Sequence, residues 1–410
     1  KSVIFGHLVG APSQLDLYDY KPALQKLDRQ PAPLSFFEGK RFSFLRGHPK
    51  LLGTPYAFKQ HGQSGAWMSE LLPNLAGVAD DLTFIRSMHT KEFNHAPAQL
   101  LFHTGQNRPG YPGLGSWADY GLGSENQDLP SYVVFMTGNS PGAGSNLWGS
   151  GFLPSVHQGV EFRSSGEPVL FLDNPGGVDA ARRRRVLDGV SALNQEKHGE
   201  LKDPEILTKI SQYEMAFRMQ TSVPELTDFS NEPQSTWDLY GPKAKEPGTF
   251  AYNCLMARRL AERGVRFTQI FLRSWDQHSN LPRNIKLMTE ESDQPSYALV
   301  TDLKRRGLLD ETLVIWGGEF GRTCYSQGVL SRENYGRDHH PRCFSMWMAG
   351  GGVKPGISYG ETDDFSYNIV KDPVHIRDLH ATMLHLFGLD HARFSHKFQG
   401  LDQRLTGVLP

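Results

Sequence analysis

The sequence predicts an α/β protein with a doubly wound, mostly parallel sheet flanked by helices. Apolar and β-branched runs such as 3–9, 266–272 and 312–316 alternate with helical patterns, which is the order typical of this class. Polar clusters follow four of the predicted strands, and ligands of open α/β sheets bind beyond the carboxyl ends of the strands. The 410 residues are expected to form one domain over 1–410, with a mainly helical insertion at 175–245.

The strands of the sheet are expected within residues 1–137 and 250–400, and the segment between these two halves is expected to cover the sheet as loops and helices. Outside the strands, apolar residues recur with the spacing of amphipathic helices. This spacing predicts α-helices at 71–78, 206–219, 250–263, 296–306 and 374–387.

Composition excludes several classes of protein. The formal net charge is −1, so no nucleic-acid partner is indicated. No run of eighteen apolar residues exists, so no membrane-spanning helix is predicted. The three cysteines are widely spaced, show no metal-ligand pattern, and cannot all pair within one chain. The chain opens on the strand-like run 2–5, which indicates either a cytoplasmic protein or one whose signal peptide has been removed.

Two polar clusters occur in the first quarter of the chain. The first predicted strand ends at a Gly-Ala-Pro turn, and Asp16 follows as a candidate metal ligand, with helix capping as the alternative. A helix is expected to begin near Pro97, which places His95 beside free backbone N–H groups that favour an anionic ligand. The helix dipole should also lower the pKa of that histidine. Lys91 and Asn94 belong to the same cluster; in the alternative interpretation, Asn94 only caps the helix and His95 packs locally.

Asp276 and His278 follow the predicted strand at 266–272. A carboxylate and an imidazole two residues apart beyond a strand end suit a divalent metal such as zinc, manganese or iron. The alternative is a hydrogen-bonded surface loop.

Glu319 lies just beyond the strand at 312–316, where a carboxylate is well placed to hold a cation or to transfer protons. Further along, Arg337, His339 and His340 stand almost consecutively before another predicted strand. Metal binding is the favoured interpretation of this last cluster, although paired histidines can also be structural.

The order of these clusters and their residue patterns resemble those of the alkaline phosphatase and sulfatase superfamily. Residues 307–315 resemble the superfamily segment that leads to a metal-binding pair, and this match puts Glu319 in the place of the metal-binding aspartate. Residues 379–388 are similar to the helix near the end of the sulfatase domain. The pair His339-His340 resembles the late histidine ligand of the phosphatases.

Two further matches concern the remaining clusters. Asp276 and His278 resemble the earlier Asp-and-His pair of the superfamily at closer spacing, and His95 stands where sulfatases carry their nucleophile. Three segments resemble, more narrowly, a branch of exported bacterial proteins that carry a domain-of-unknown-function label: 10–14, 275–278 and 317–323.

The sequence also departs from the superfamily pattern. The first strand ends in Gly10-Ala11-Pro12 where relatives have metal-binding aspartates, and Phe320 cannot replace the second member of the later metal pair. No Cys, Ser or Thr occupies the nucleophile position. The resemblance therefore implies one metal ion rather than a standard two-zinc phosphatase site or calcium sulfatase site.

The function implied is that of a metal-dependent hydrolase of sulfate or phosphate esters, with one divalent ion (zinc, manganese, iron or calcium) and an anionic ester as substrate, a sulfated glycan among the candidates. The alternative is a sulfatase-like protein that has lost catalysis and binds a glycan or a cell-surface partner. The resemblance also implies an extracytoplasmic protein whose gene encodes a signal peptide upstream of Lys1. The implied metal ligands are Asp276, His278, Glu319, and His339 or His340, with Asp16 a further candidate; the implied catalytic residues are His95 as nucleophile or acid/base, Asn94, and the cations Arg322, Arg337 and Lys91.

Overall fold

The computed structural model describes residues 1–38, 47–163, 166–169, 172–328, 330–331 and 333–407. Short 3₁₀ turns connect several of the elements. The α-helices of the described residues are α1 (Gln14–Leu17), α2 (Pro22–Lys26), α3 (His95–Thr104), α4 (Leu114–Leu122), α5 (Ala180–Leu201), α6 (Pro204–Thr227), α7 (Gln234–Tyr240), α8 (Phe250–Glu262), α9 (Leu281–Arg305) and α10 (Ile376–Leu386).

The strands fall into one large sheet and several two-stranded hairpins. They are β1 (Ser2–Leu8), β2 (Phe58–His61), β3 (Ala66–Ser69), β4 (Leu82–His89), β5 (Tyr132–Thr137), β6 (Val160–Phe162), β7 (Phe267–Leu272), β8 (Thr312–Gly317), β9 (Gly321–Gln327), β10 (Gly336–His340), β11 (Phe344–Ala349), β12 (Ile357–Tyr359), β13 (Glu361–Thr362), β14 (Ile369–Lys371), β15 (Val374–His375), β16 (His396–Phe398) and β17 (Leu401–Gln403).

The nine-stranded sheet has the order β12-β4-β11-β8-β1-β7-β5-β6, and β15 also pairs with β4. β1 is parallel to both β7 and β8, and β5 is parallel to β7 and β6. β11 is antiparallel to both of its neighbours, β8 and β4, so β4 points the same way as β8. The sheet is therefore mixed and mostly parallel, as predicted, and the carboxyl ends of β1, β4, β7 and β8 meet at one edge.

The central strands form because their sequences are apolar on both faces. Every residue of β1, β5, β7 and β8 is buried, as expected for parallel strands covered on both sides. Successive side chains of β1 enter different cores: Ile4 packs with α8 and α9, whereas Val3 and Phe5 pack with α3, α4 and α10. Each such side chain contributes roughly 1.5–3 kcal/mol by its burial, so this two-sided covering fixes the strand that ends at the polar edge.

The segment between the two halves of the sheet contains loops, 3₁₀ turns, the helices α5, α6 and α7, and one strand. β6 lies within this segment and adds an edge strand beside β5, which the sequence analysis did not expect. The side chains of Asp179 and Asp203 accept hydrogen bonds from the first-turn N–H groups of α5 and α6. Arg184 of α5 forms an ion pair with Glu214 of α6 (2.5 Å), so this arginine stabilises the packing of α5 against α6.

Four predicted helices differ from the structure. The helix expected at 206–219 is longer and spans Pro204–Thr227. Residues 71–78 do not form an α-helix; a 3₁₀ turn at Leu75–Asp81 follows instead, because Pro73 disfavours a helical residue before it. The helix expected at 296–306 begins earlier, at Leu281, and continues through Pro295. The helix expected from residue 374 begins at Ile376, since Val374–His375 pair with β4. No helix in the described part of the chain combines the length and apolar character that crossing a membrane requires.

Candidate metal centre

Loops from several parallel strands bring polar side chains together at the carboxyl edge of the sheet. His95 opens α3, the helix that follows β4, and Asp276 and His278 lie in the loop between β7 and α9. Glu319 lies in the turn between β8 and β9, and His339 lies on β10 opposite Arg322 of β9. This is the edge at which ligands of α/β sheets bind.

Four side chains converge at this edge. Each contributes one potential ligand atom, and these four atoms lie within 4.8 Å of one another; the residues are His95, Asp276, His278 and His339. The Nε2 atom of His278 lies 2.9 Å from Asp276 Oδ1 and 2.9 Å from His339 Nε2. His339 Nε2 is 3.4 Å from Asp276 Oδ1, and His95 Nε2 is 3.2 Å from Asp276 Oδ2. Donor atoms of a tetrahedral zinc site with bonds of about 2.0–2.1 Å are separated by about 3.3 Å, so these distances match a shared cation.

All three histidines use the other ring nitrogen in the same way. Each Nδ1 atom faces an oxygen acceptor and therefore carries a hydrogen, and each Nε2 is directed at Asp276. Lone pairs of neighbouring nitrogens repel unless a proton or a cation lies between them. The Nδ1 acceptors are Glu319 Oε1 for His95 (2.7 Å), the carbonyl of Phe93 for His339 (2.7 Å), and Gln327 Oε1 for His278.

A divalent cation fits this donor set. The buried Nε2 atom of His95 has no hydrogen-bond partner among the described residues, although it faces the cluster. Imidazole nitrogens together with a carboxylate are the ligands that zinc, manganese and iron accept in proteins. Metal-binding histidines generally donate their other ring nitrogen to an oxygen acceptor, as these three do.

The charges at the centre favour an ionised Asp276. Burial opposes its ionisation, but the contacts with His278 and His339 and the charge of Arg322 hold the pKa of Asp276 well below its ordinary value. Its side chain is 44% exposed, so the carboxylate borders solvent on one side. Asp276 is therefore the accessible anion of the cluster.

The direction expected for the pKa of His95 was wrong. Burial alone lowers this pKa, but the neighbouring carboxylates of Asp276 and Glu319 outweigh it and raise the pKa from 6.5 to about 9. Two carboxylates in direct contact are stronger than a helix dipole, whose effect is confined to the first turn. A cation at Nε2 would have to displace this proton.

Glu319 lies behind His95 and outside the group of four. Its side chain is 0% exposed, and Oε1 accepts hydrogen bonds from His95 Nδ1 (2.7 Å) and Gln99 Nε2 (3.0 Å). The backbone N–H of Gly10 donates to both carboxylate oxygens, at 3.1 and 3.2 Å. Burial disfavours the charge, but His7 and His95 hold the pKa of Glu319 well below its ordinary value. Glu319 is thus positioned to orient the candidate ligand His95. The sequence had led us to expect Glu319 itself as a direct ligand.

Arg322 joins the loops around the centre. Its buried guanidinium donates to Asp276 Oδ1 (2.6 Å) and to the carbonyl of Gly10, and Nε donates to the carbonyl of Ala11 (2.9 Å). Because these internal acceptors occupy the guanidinium, Arg322 positions Asp276 rather than presenting a free charge to a substrate anion. A Cβ atom at Gly10 would overlap the backbone nitrogen of Asp276, so this close contact of two loops requires glycine.

A family model described as "Protein of unknown function (DUF1501)" matches residues 1–409. The chain belongs to the DUF1501 family. This confirms the membership in a domain-of-unknown-function family that the motifs indicated. No curated protein matches the sequence of this DUF1501 member at a significant level.

Several solved structures resemble the DUF1501 chain at low identity. The lipoteichoic acid synthase LtaP from Listeria monocytogenes is 10% identical with a TM-score of 0.40, over 100% of this chain and 74% of that one. The sulfatase PsFucS1 from Pseudoalteromonas sp. is 12% identical with a TM-score of 0.37, over 95% and 68%. The alkaline phosphatase from the Antarctic bacterium TAB5 is 11% identical with a TM-score of 0.37, over 95% and 98%.

Two predicted site residues of the DUF1501 chain bind each other instead. Arg337 Nε donates to Asp16 Oδ2 (2.8 Å), and both side chains are fully buried. Ser13 Oγ also donates to Asp16 (2.5 Å), and Arg337 Nη1 donates to the carbonyls of Leu52 and Thr323. Asp16 is therefore not free to ligate the cation, and Arg337 is not free to bind a substrate anion, because each neutralises the other in the interior.

The remaining predicted residues lie around the centre rather than within it. His340 points away from the group of four and contacts the carbonyl of Tyr367 through Nε2 (2.9 Å), because neighbours on a strand face opposite sides. Lys91 and Asn94 are exposed. Asn94 is the N-cap residue of α3, but its side chain makes no capping hydrogen bond. Of the two late histidines, His339 is thus the one brought into the cluster.

Sequence reasoning missed the residues that orient the histidines. Gln327 of β9 contacts His278, and the carbonyl of Phe93, in the loop before α3, contacts His339. Only the folded chain shows these contacts. Gly336 allows β10 to approach the loop of His278, since a Cβ atom there would overlap the backbone of that residue. One residue had a visible pattern: His7 interrupts an otherwise apolar strand.

Proposed function

We propose that this DUF1501 protein is a metal-dependent hydrolase of sulfate or phosphate esters, with one divalent cation held by His95, Asp276, His278 and His339. The observation that carries the proposal is the shared orientation of the three imidazoles. Each one donates through Nδ1 to an oxygen and directs Nε2 at the same carboxylate. A hydrogen-bonded surface loop would not align the Nε2 atoms of three imidazoles on one carboxylate.

The donor set narrows the choice of metal. Three nitrogens and one carboxylate suit zinc, manganese or iron. Calcium takes six to eight oxygen ligands, so it is the least suitable of the four candidate ions. When bound, the cation supplies Lewis-acid chemistry, polarising an ester oxygen or lowering the pKa of a water molecule.

The charges of the centre favour an anionic substrate. Asp276 and Arg322 form an ion pair and cancel, and the buried Glu319 leaves one negative charge. A divalent cation at the neutral histidines changes the local sum to one positive charge. Such a field attracts anions such as sulfate and phosphate esters, and exposed Lys91 adds to it at longer range.

The side chains at the centre favour water as the nucleophile. In this proposal, Nε2 of His95 serves as a ligand and cannot also attack the substrate. The thiols are unsuitable as well: Cys254, Cys324 and Cys343 are buried, and burial raises the pKa of each. We further propose that the protein acts outside the cytoplasm, with a sulfated glycan as one candidate substrate.

Elemental analysis combined with an ester screen tests the proposal. The purified protein should contain close to one zinc, manganese or iron ion per chain, and a chelator should abolish hydrolysis of 4-nitrophenyl sulfate, phosphate or phosphonate esters. His339→Ala should lose the ion, whereas His340→Ala, altered at the neighbouring position, should retain it. A folded protein that takes up none of these ions would refute the proposal. Uptake without turnover of any ester or sulfated polysaccharide would favour a metal-stabilised binding protein.

A further inference from the structure

A second group of buried polar side chains lies behind Glu319 and extends into the core. His7 of β1 is fully buried, and its Nε2 atom lies 3.3 Å from Glu319 Oε2. His103 of α3 lies next to it, with the two rings 4.5 Å apart at 68°. Gln269 and Tyr132 continue the group on β7 and β5. The metal centre is therefore connected to polar groups in the interior.

The hydrogen bonds within this group fix the protonation of His103. The hydroxyl of Tyr132 donates to Gln269 Oε1 (2.6 Å), so the amide nitrogen of Gln269 must donate to His103 Nδ1 (2.8 Å). His103 is consequently a neutral imidazole with its hydrogen on Nε2. Gln269 is thus the hydrogen-bond partner of His103 Nδ1.

His7 differs from His103 in its hydrogen bonding. Among the described residues, neither ring nitrogen of His7 forms a hydrogen bond. Its Nε2 lies 3.3 Å from Glu319 Oε2, which is within ion-pair distance. The position belongs to the strand face that carries Val3 and Phe5. An apolar side chain would fit the pattern, whereas a buried polar group without a full partner costs about 1–3 kcal/mol. We therefore expect His7 to have a role other than packing.

We propose that His7 is a positioning residue of the metal centre, acting through Glu319. This inference rests on the proposed metal site. His95 and Gln99 bind Oε1 of Glu319, and His7 faces Oε2, so the carboxylate is held at both oxygens. A carboxylate that cannot rotate keeps Oε1 on the Nδ1–H of His95. That contact keeps the lone pair of His95 Nε2 directed at the cation.

Zinc affinity of His7 variants tests the inference. The proteins are treated with chelator, and Zn²⁺ is titrated in competition with a chromophoric chelator. His7→Leu removes the imidazole beside Oε2 and leaves that oxygen with the N–H of Gly10. It should weaken binding about tenfold, the lower end of the range for outer-shell partners. His7→Gln should restore affinity, because its amide nitrogen can occupy the place of the imidazole Nε2 and donate to Glu319. His380→Leu is the matched control, since His380 is equally buried but donates to the carbonyl of Phe102 outside the site.

The pattern of results separates positioning from packing. Wild-type affinity in His7→Leu, or equal weakening in the Leu and Gln variants, would overturn the inference. If His7→Leu does not fold, His7→Asn replaces it, because its shorter amide does not reach Glu319; equal affinities of the Asn and Gln variants would then overturn the inference. Failure of the wild-type protein to bind zinc, manganese or iron would overturn the proposed function as well, whereas metal uptake that is insensitive to His7 overturns only the positioning role.

Discussion

Replacement of Glu319 by glutamine keeps the shape of the side chain and removes its charge from behind His95. The amide oxygen can still accept from His95 Nδ1 and Gln99 Nε2, which both bind the same carboxylate oxygen. The new NH₂ group would take the place of Oε2, which faces His7 Nε2 and the N–H of Gly10. The fold should survive, because the hydrogen bond that orients His95 can persist in a weaker, neutral form.

The magnitude follows from the distance between the charge and the cation. The imidazole of His95 lies between them, and with a zinc–nitrogen bond of about 2 Å it sets a separation of about 7 Å. At an effective dielectric constant of about 20, a charge pair at this separation contributes about 2 kcal/mol. This corresponds to a loss of about thirtyfold in metal affinity, which lies within the range of 10–100-fold for outer-shell partners.

Competition titration of Zn²⁺ into chelator-treated protein measures this loss directly. Glu311→Gln is a suitable control, because Glu311 is an exposed carboxylate before the start of β8, at the opposite end of that strand from the centre. Circular dichroism would show that both variants are folded. If Glu319→Gln bound zinc as tightly as wild type, Glu319 would be a purely structural residue and the proposed arrangement of the metal centre would be wrong.

Four further outcomes are expected. In unfolding experiments, His339→Ala should lose the stabilisation that zinc gives to the wild-type protein, whereas His340→Ala should lower stability both with and without metal. Asp276→Asn should weaken zinc binding at least a hundredfold in the titration above, because Asp276 contacts every other ligand; binding as tight as wild type would contradict its role. Removal of metal held at a concentration of 100 times its Kd should lower the unfolding free energy by about 2.7 kcal/mol, measured by chemical denaturation with and without chelator. Burial lowers the pKa of His380 to about 4, whereas the unfolded value is about 6.5. The unfolded chain therefore takes up the proton first, so this residue should reduce stability by up to about 3 kcal/mol as pH falls from about 6.5 to 4; an unchanged pH slope in His380→Gln would contradict this.

The strands and the edge that carries the site could be predicted from the sequence because they depend on local patterns. The run 312–316 is apolar on both faces, and a strand buried in a parallel sheet requires that composition. The loop with Asp276 and His278 directly follows another such strand, so its place at the carboxyl edge followed from strand order alone. Both inferences use residues that are close together in sequence.

The roles of the charged residues could not be predicted in the same way. Arg337 and Asp16 lie 321 positions apart, and nothing near either residue indicates that they pair. His339 and His340 are equivalent in the sequence; only the register of β10 against β9 decides which one faces the cluster. Glu319 was assigned as a ligand because of its position after a strand, but the position of His95 in front of it determines what it binds.

The place of β1 in the middle of the sheet has a consequence for synthesis of the chain. Its neighbours on either side are β7 and β8, which begin at Phe267 and Thr312. At translation rates of about 5–20 residues per second, the first strand waits roughly 15–60 s for its second partner to leave the ribosome. Both edges of this apolar strand lack partners until β7 has been made, and one edge still lacks a partner until β8 follows, which is the situation that chaperones relieve. The nascent chain is therefore expected to depend on a holding factor until β8 has been made.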